Sequence, residues 1–140
     1  MTDILRFRPK KPSRFSHHPE PSYVVRGRIW VEKDGELYMG VGRAMLLERI
    51  DRFGSIAAAA RSMSLAYRNA WLWIEAVNRL APTPLVKKNT GGVGGGYARL
   101  TEEGQKAVNE YKELRARIQE FLSQTDNIFM QRYIGDNITL

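Results

Sequence analysis

The chain has 140 residues, no cysteine, and 22 Lys plus Arg against 15 Asp plus Glu, giving a formal net charge of +7 and a pI near 9.9. That length suits one domain with a real core and a tail at either end. The lack of cysteine excludes a disulfide framework, Cys-based zinc sites and Cys nucleophiles and fits a cytoplasmic chain, while the basic balance attracts nucleic acid, anionic membrane or acidic proteins.

No apolar run approaches the roughly 18 residues of a membrane span, and the basic, proline-rich start lacks the apolar stretch of a signal peptide. No membrane partner is expected. Residues 1–22 read as a disordered basic arm, from the prolines and absent periodicity of "RFRPKKPSRFSHHPEP". The two histidines, His17 and His18, fall in that arm, where a solvated pair is the plain reading. Carboxylates elsewhere sit beside Lys or Arg, as in "EYKELRARIQE", the pattern of a solvated helix face. No catalytic, metal or cofactor site is therefore expected, and the chain is not read as an enzyme.

From about Arg26 to Gly40, Ile29 and Val31 alternate onto one face, Asp34-Gly35 makes a tight turn, and Leu37 and Met39 return, which signals a β-hairpin. "GRAMLLERIDRFG" follows with Leu46, Leu47, Ile50 and Phe53 as one helical stripe and Gly54 as its stop. Ser55 can cap a short second helix, "IAAAARSM", whose small side chains admit a close neighbour. "AYRNAWLWIEAVNRLA" makes a third helix, ended by Pro82 and Pro84. Met63, Leu65, Ala70, Ile74 and Val77 recur at core spacing, which leaves the face beginning at Ala66, Tyr67, Arg68 and Asn69 free to enter a groove. Trp73 is read as core with Leu72 as a further core candidate; Trp71 is placed beside the next hairpin, a groove contact being its alternative.

That hairpin is "LVKKNTGGVGGGYARLT", with five glycines among residues 91–96. It matches neither the Walker A loop nor the dinucleotide fingerprint, because no Lys-Ser or Lys-Thr follows and the next residues alternate like a strand. Two short helices joined by a tight turn and followed by a β-hairpin outline a winged helix-turn-helix. The tip glycines Gly91, Gly92, Gly94, Gly95 and Gly96 would then form a wing, with Lys87, Lys88 and Arg99 meeting duplex phosphates. A long helix follows from about Glu102. Gly104, Ala107, Tyr111, Leu114, Ile118 and Phe121 are spaced 3, 4, 3, 4 and 3, a heptad seam that predicts a homodimer, packing on its own domain being the alternative.

The run "GSIAAAARSMSLAYRNAWLWIEAVNRL…PLVKKNTGGVGGGYARLTEEGQ" resembles the amino-terminal domain of the ModE-type regulators, molybdate-responsive bacterial transcription factors with a LysR-like winged helix. The resemblance runs from about Gly27 through the long helix. It implies DNA binding, with Tyr67 and Arg68 at the positions of major-groove reading and Gly91 to Gly96 at the wing. Two residues depart from the pattern. Ser64 stands where such regulators tend to have a turn glycine, and Ala66 where they tend to begin the recognition helix with serine; Ser64 offers an alternative cap two residues earlier. Such regulators also carry molybdate-binding domains after the long helix, and the residues up to Leu140 do not make one, so any response to molybdenum is expected to need a separate effector-sensing partner.

The expected fold is mainly α with small β-hairpins: a winged helix-turn-helix over residues 23–101, a long dimerisation helix over 102–126 and a tail over 127–140. The expected function is a sequence-specific regulator that binds double-stranded DNA. The competing reading is a winged-helix module that binds a protein or RNA; steep salt dependence separates the two, because duplex binding releases counterions.

Overall fold

The computed structural model describes residues 23–89 and 96–138, with side chains through residue 129. The basic arm, His17 and His18, and the wing-tip glycines Gly91, Gly92, Gly94 and Gly95 lie outside the described residues. The elements run β1 (Val31–Lys33), β2 (Glu36–Met39), α1 (Val41–Phe53), α2 (Ile56–Ser62), α3 (Tyr67–Leu80), β3 (Val86–Asn89), β4 (Tyr97–Leu100) and α4 (Glu102–Ile138). The order is that of a winged helix followed by a long helix. Residues 28–116 make one compact unit, and residues 23–27 with the helix from 117 onward make a second.

In the first unit, Asp34 and Gly35 both take positive φ, 51° and 80°, so β1 and β2 turn through a two-residue loop of the type that matches strand twist. The ladder slips by one residue between Val31 and Glu32. Arg43 of α1 reaches the carbonyls of Leu37 and Tyr38 at that slip. It is buried with its Nε lacking a partner, and burial pulls its pKa down while Glu36 acts in the opposite direction. The strand portion is shorter than expected, because Ile29 and Trp30 precede the ladder.

Leu46, Leu47 and Ile50 of α1 are fully buried, and the Gly54 N–H closes the helix on the Ile50 carbonyl at 2.8 Å from a left-handed backbone, φ 75°. Phe53 departs from the expected stripe: it is 46% exposed, with the Arg52 guanidinium 5.4 Å from its ring centre. Ser55 Oγ accepts from the Ala58 N–H at 3.0 Å and caps α2. Ala59 and Ala60, both buried, let α3 pack closely on α2.

The turn from α2 to α3 holds Ser64 and Ala66, the two residues that depart from the pattern of the regulators the sequence resembles. The Leu65 N–H bonds to the Ala60 carbonyl at 2.9 Å and the Ser64 N–H to the Arg61 carbonyl at 3.1 Å, a Schellman pair that requires a left-handed residue at position 64. Ser64 supplies it at φ 51°. It is therefore a helix stop and does not cap α3. The residue at the α3 N-cap is Ala66, which makes no side-chain cap bond. A left-handed non-glycine residue costs about 1–2 kcal/mol.

Further along, α4 continues to Ile138, past the end expected near residue 126, and no proline interrupts residues 127–138. In the first unit its buried face is Gly104, Val108 and Tyr111, with Ala107 packed beside them. Tyr111 is only 4% exposed; its hydroxyl donates to the Ile29 carbonyl at 3.0 Å, and burial raises its pKa. Tyr111 and Ala107, expected at a dimer seam, thus belong to this unit's own core. Beyond them Leu114 and Phe121 are exposed and Ile118 is half-buried. In the second unit, the Val25 N–H donates to Asp126 Oδ1 at 2.7 Å and the Tyr23 ring stacks on Phe129 at 6.1 Å.

Ser64→Gly should stabilise the unit by about 1 kcal/mol, since glycine removes the left-handed strain while keeping both Schellman bonds. Thermal unfolding should then rise by roughly 4–8 °C. Ser64→Ala serves as the control and should give no rise.

Candidate nucleic-acid interface

The third helix is built with two faces. Ala70, Ile74, Val77 and Leu80 point into the core, with Trp73 packed against it. Arg68, Leu72, Glu75 and Arg79 share the opposite, exposed face, at spacings of 4, 3 and 4. Tyr67, Arg68 and Asn69 form the first turn and are all exposed. Their backbone N–H groups are among those a helix leaves unsatisfied at its start, and Ala66 brings no side chain to cap them. The first turn therefore offers backbone donors, the positive end of the helix dipole and one guanidinium together. Of the residues expected to read bases, Ala66 precedes the helix and contributes no donor beyond its backbone.

Asn78 at the far end of α3 positions the wing. Its Oδ1 accepts from the N–H groups of Leu85 and Val86 at 2.9 and 3.0 Å, and its Nδ2 donates to the Val86 carbonyl at 3.1 Å. Lys33 also donates to the Leu80 carbonyl at 2.9 Å, which suits the negative end of the helix. After Leu85 the chain enters β3, which pairs antiparallel with β4 in the register Val86 with Leu100, Lys87 with Arg99, Lys88 with Ala98 and Asn89 with Tyr97. Alternation puts Val86, Ala98 and Leu100 inside, all buried. The Ala98 N–H bonds to the Gly54 carbonyl at 2.9 Å, fastening β4 to the end of α1.

The outer face of the hairpin is Lys87, Asn89, Tyr97 and Arg99, all exposed. Lys87 and Arg99 stand directly opposite each other, a like-charge pair that disfavours the hairpin unless an anion lies against it. Neither has an ion pair among the described residues. Lys88 behaves differently from the free cation expected at that position. It is ion-paired with Glu75, and its ammonium lies 4.8 Å from the centre of the Trp71 ring. It therefore clasps the wing to α3, and its charge is already matched. Trp71 sits beside the wing, as its sequence position suggested. Gly96 is exposed where the described chain resumes.

Three contributors escaped sequence reading. Asn78 carries one local signal, an amide four residues before Pro82, where the loop into the wing needs an anchor. Asn89 and Tyr97 were also missed, and simple alternation from Lys87 and Arg99 would have found both. Leu72, a core candidate, is 46% exposed because it lies one turn after Arg68 on the outward face.

Among the described residues, no helix is long and apolar enough to cross a membrane, and no three His, Cys, Asp or Glu side chains gather as a metal site.

No family model matches the chain. Curated relatives do. It is 43% identical over 97 residues to the molybdenum transport protein ModE of Azotobacter vinelandii, covering 69% of this chain and 36% of that protein. It is 42% identical over 85 residues to the molybdenum-pterin-binding protein MopB of Rhodobacter capsulatus, and 39% identical over 85 residues to the DNA-binding transcriptional dual regulator ModE of Escherichia coli K12. Each of these two matches covers 61% of this chain and 32% of the relative. The chain thus spans about a third of the length of the relatives it matches, and over that span it is similar to the ModE and MopB proteins.

Proposed function

We propose that this chain is a sequence-specific regulator that binds double-stranded DNA as a homodimer, with α3 in the major groove and the β3–β4 hairpin against the phosphates. One observation carries the reading: where three outward-facing cations stand. Arg43, Arg49, Arg79 and Lys88 are engaged within the unit, by the Leu37 and Tyr38 carbonyls, by Ser62, by Glu36 and by Glu75 respectively. Arg68, Lys87 and Arg99 carry no ion pair among the described residues and stand on the first turn of α3 and the outer face of the wing. A planar guanidinium near the start of a groove-entering helix matches the paired acceptors of guanine, whereas cations on a hairpin match phosphate. The name of the Escherichia coli relative, a DNA-binding transcriptional regulator, supports the same reading.

A pair of α4 helices supplies the dimer. Once Ala107 and Tyr111 are assigned to the core, the seam consists of Leu114, Ile118 and Phe121, and Phe121 is 61% exposed without a partner helix. A two-fold pair would present two α3 helices to successive major grooves.

Arg68→Ala should cost about 1–3 kcal/mol on the preferred duplex and relax base preference at one position. Titration on the preferred and a scrambled duplex checks this; equal losses on both would make Arg68 a phosphate contact. Replacing Lys87 and Arg99 together with alanine should weaken both duplexes alike and flatten the slope of log K against log salt by up to about 0.9 per lost contact. An unchanged slope would remove the wing from the interface. For the seam, Leu114→Glu with Ile118→Glu should yield a folded monomer by light scattering and circular dichroism. A wild-type chain that is monomeric at micromolar concentration would contradict the α4 pair.

A further inference from the structure

The exposed face of α3 holds one side chain that neither the fold nor hydrogen-bonded recognition accounts for. Going along that face, Arg68 is an unpaired guanidinium among the described residues, Glu75 is joined to Lys88, and Arg79 is joined to Glu36 through 2.7 and 3.3 Å bonds. Leu72 lies between Arg68 and Glu75 and is 46% exposed. It stands about 40° around the axis from Arg68 and about 6 Å further along it, from 3.6 residues per turn and 1.5 Å per residue. The core of the unit does not need it, since Ala70, Ile74 and Val77 fill the opposite face with no measurable exposure. A leucine offers no donor or acceptor, so in a groove lined with polar base edges it has one complementary group, the C5-methyl of thymine.

We infer that Leu72 packs on a thymine methyl in the major groove and so sets base preference beside the position read by Arg68. This rests on the duplex-binding reading above. The 6 Å step along α3 corresponds to about two base steps at 3.4 Å each, so the thymine lies within about two base pairs of the guanine that depends on Arg68. Its contribution is apolar burial and releases no counterions, so the preference for thymine holds its size as salt changes, unlike the wing contacts.

Replacing single thymines by uracil in the preferred duplex deletes the methyl and nothing else. The wild-type chain should bind one such uracil duplex about fourfold more weakly, the worth of one buried methyl-sized group, with the same ratio at low and high salt. Leu72→Ala should bind thymine and uracil duplexes equally and keep its guanine preference; the truncation is on an exposed site, and circular dichroism confirms the fold. If every uracil duplex binds the wild-type chain as tightly as its thymine parent, or if Leu72→Ala keeps the discrimination, the assignment of Leu72 is overturned while DNA recognition stands. If the preferred duplex has no thymine within that distance, the assignment is likewise overturned. Failure to prefer any duplex would instead overturn the duplex-binding reading, and this inference with it.

Discussion

Leu85 is the point on which the exposed surface depends. Its side chain is buried at 1% exposure, its N–H is held by Asn78 of α3, and its carbonyl accepts from the Thr101 N–H at 2.9 Å, while the Thr101 hydroxyl donates to the adjoining Pro84 carbonyl at 2.7 Å. The same Thr101 Oγ1 accepts from the Gly104 N–H at 3.0 Å, capping the start of α4. A Cβ at position 104 would overlap the Leu85 carbonyl, so glycine there is a requirement of close approach. One residue thus joins the end of α3, the start of β3, the end of β4 and the start of α4. The angle between α3 and the wing follows from this junction, because both strands of the wing leave from it.

A second fastening lies nearer the outer surface. Lys88 reaches back to Glu75 and over Trp71, and because Glu75 is about half exposed the ion pair by itself contributes little. Its effect is to commit one wing cation to α3 and leave Lys87 and Arg99 as a mutually repelling pair facing outward. Contacts within the unit hold Arg43, Arg49, Arg79 and Lys88 in place, while Arg68, Lys87 and Arg99 face outward on α3 and the wing. Net charge alone did not distinguish these roles.

Much of this was legible in the sequence because it rests on local backbone chemistry. Asp34-Gly35, Gly54, Ser55 and the prolines after Ala81 each act within a few residues of their own position, and the turn, the stop, the cap and the helix end all fall where they indicate. What escaped depends on contacts between distant residues. The heptad spacing of α4 is the same whether Tyr111 meets a partner helix or Ile29 of its own unit, 82 residues away, and only packing decides. Lys88 and Lys87 are adjacent in sequence and have opposite fates, since strand alternation turns one toward α3. Leu72 was misplaced because apolar character suggested burial, whereas its helical phase relative to Ile74 puts it outside. Ser64 shows the reverse case: its standing where the similar regulators tend to have glycine was visible, but the left-handed backbone that makes it a helix stop and rules it out as the α3 cap was not.

The most direct measurement is enrichment of binding sites from a pool of random duplexes, followed by competition between the enriched site and a scrambled one at physiological salt. An α3 that reads bases predicts one defined sequence and a preference of at least about a thousandfold over the scrambled duplex. Equal affinity for the two, with no sequence enriched, would contradict groove recognition by α3 and reduce the basic face to general attraction for anions.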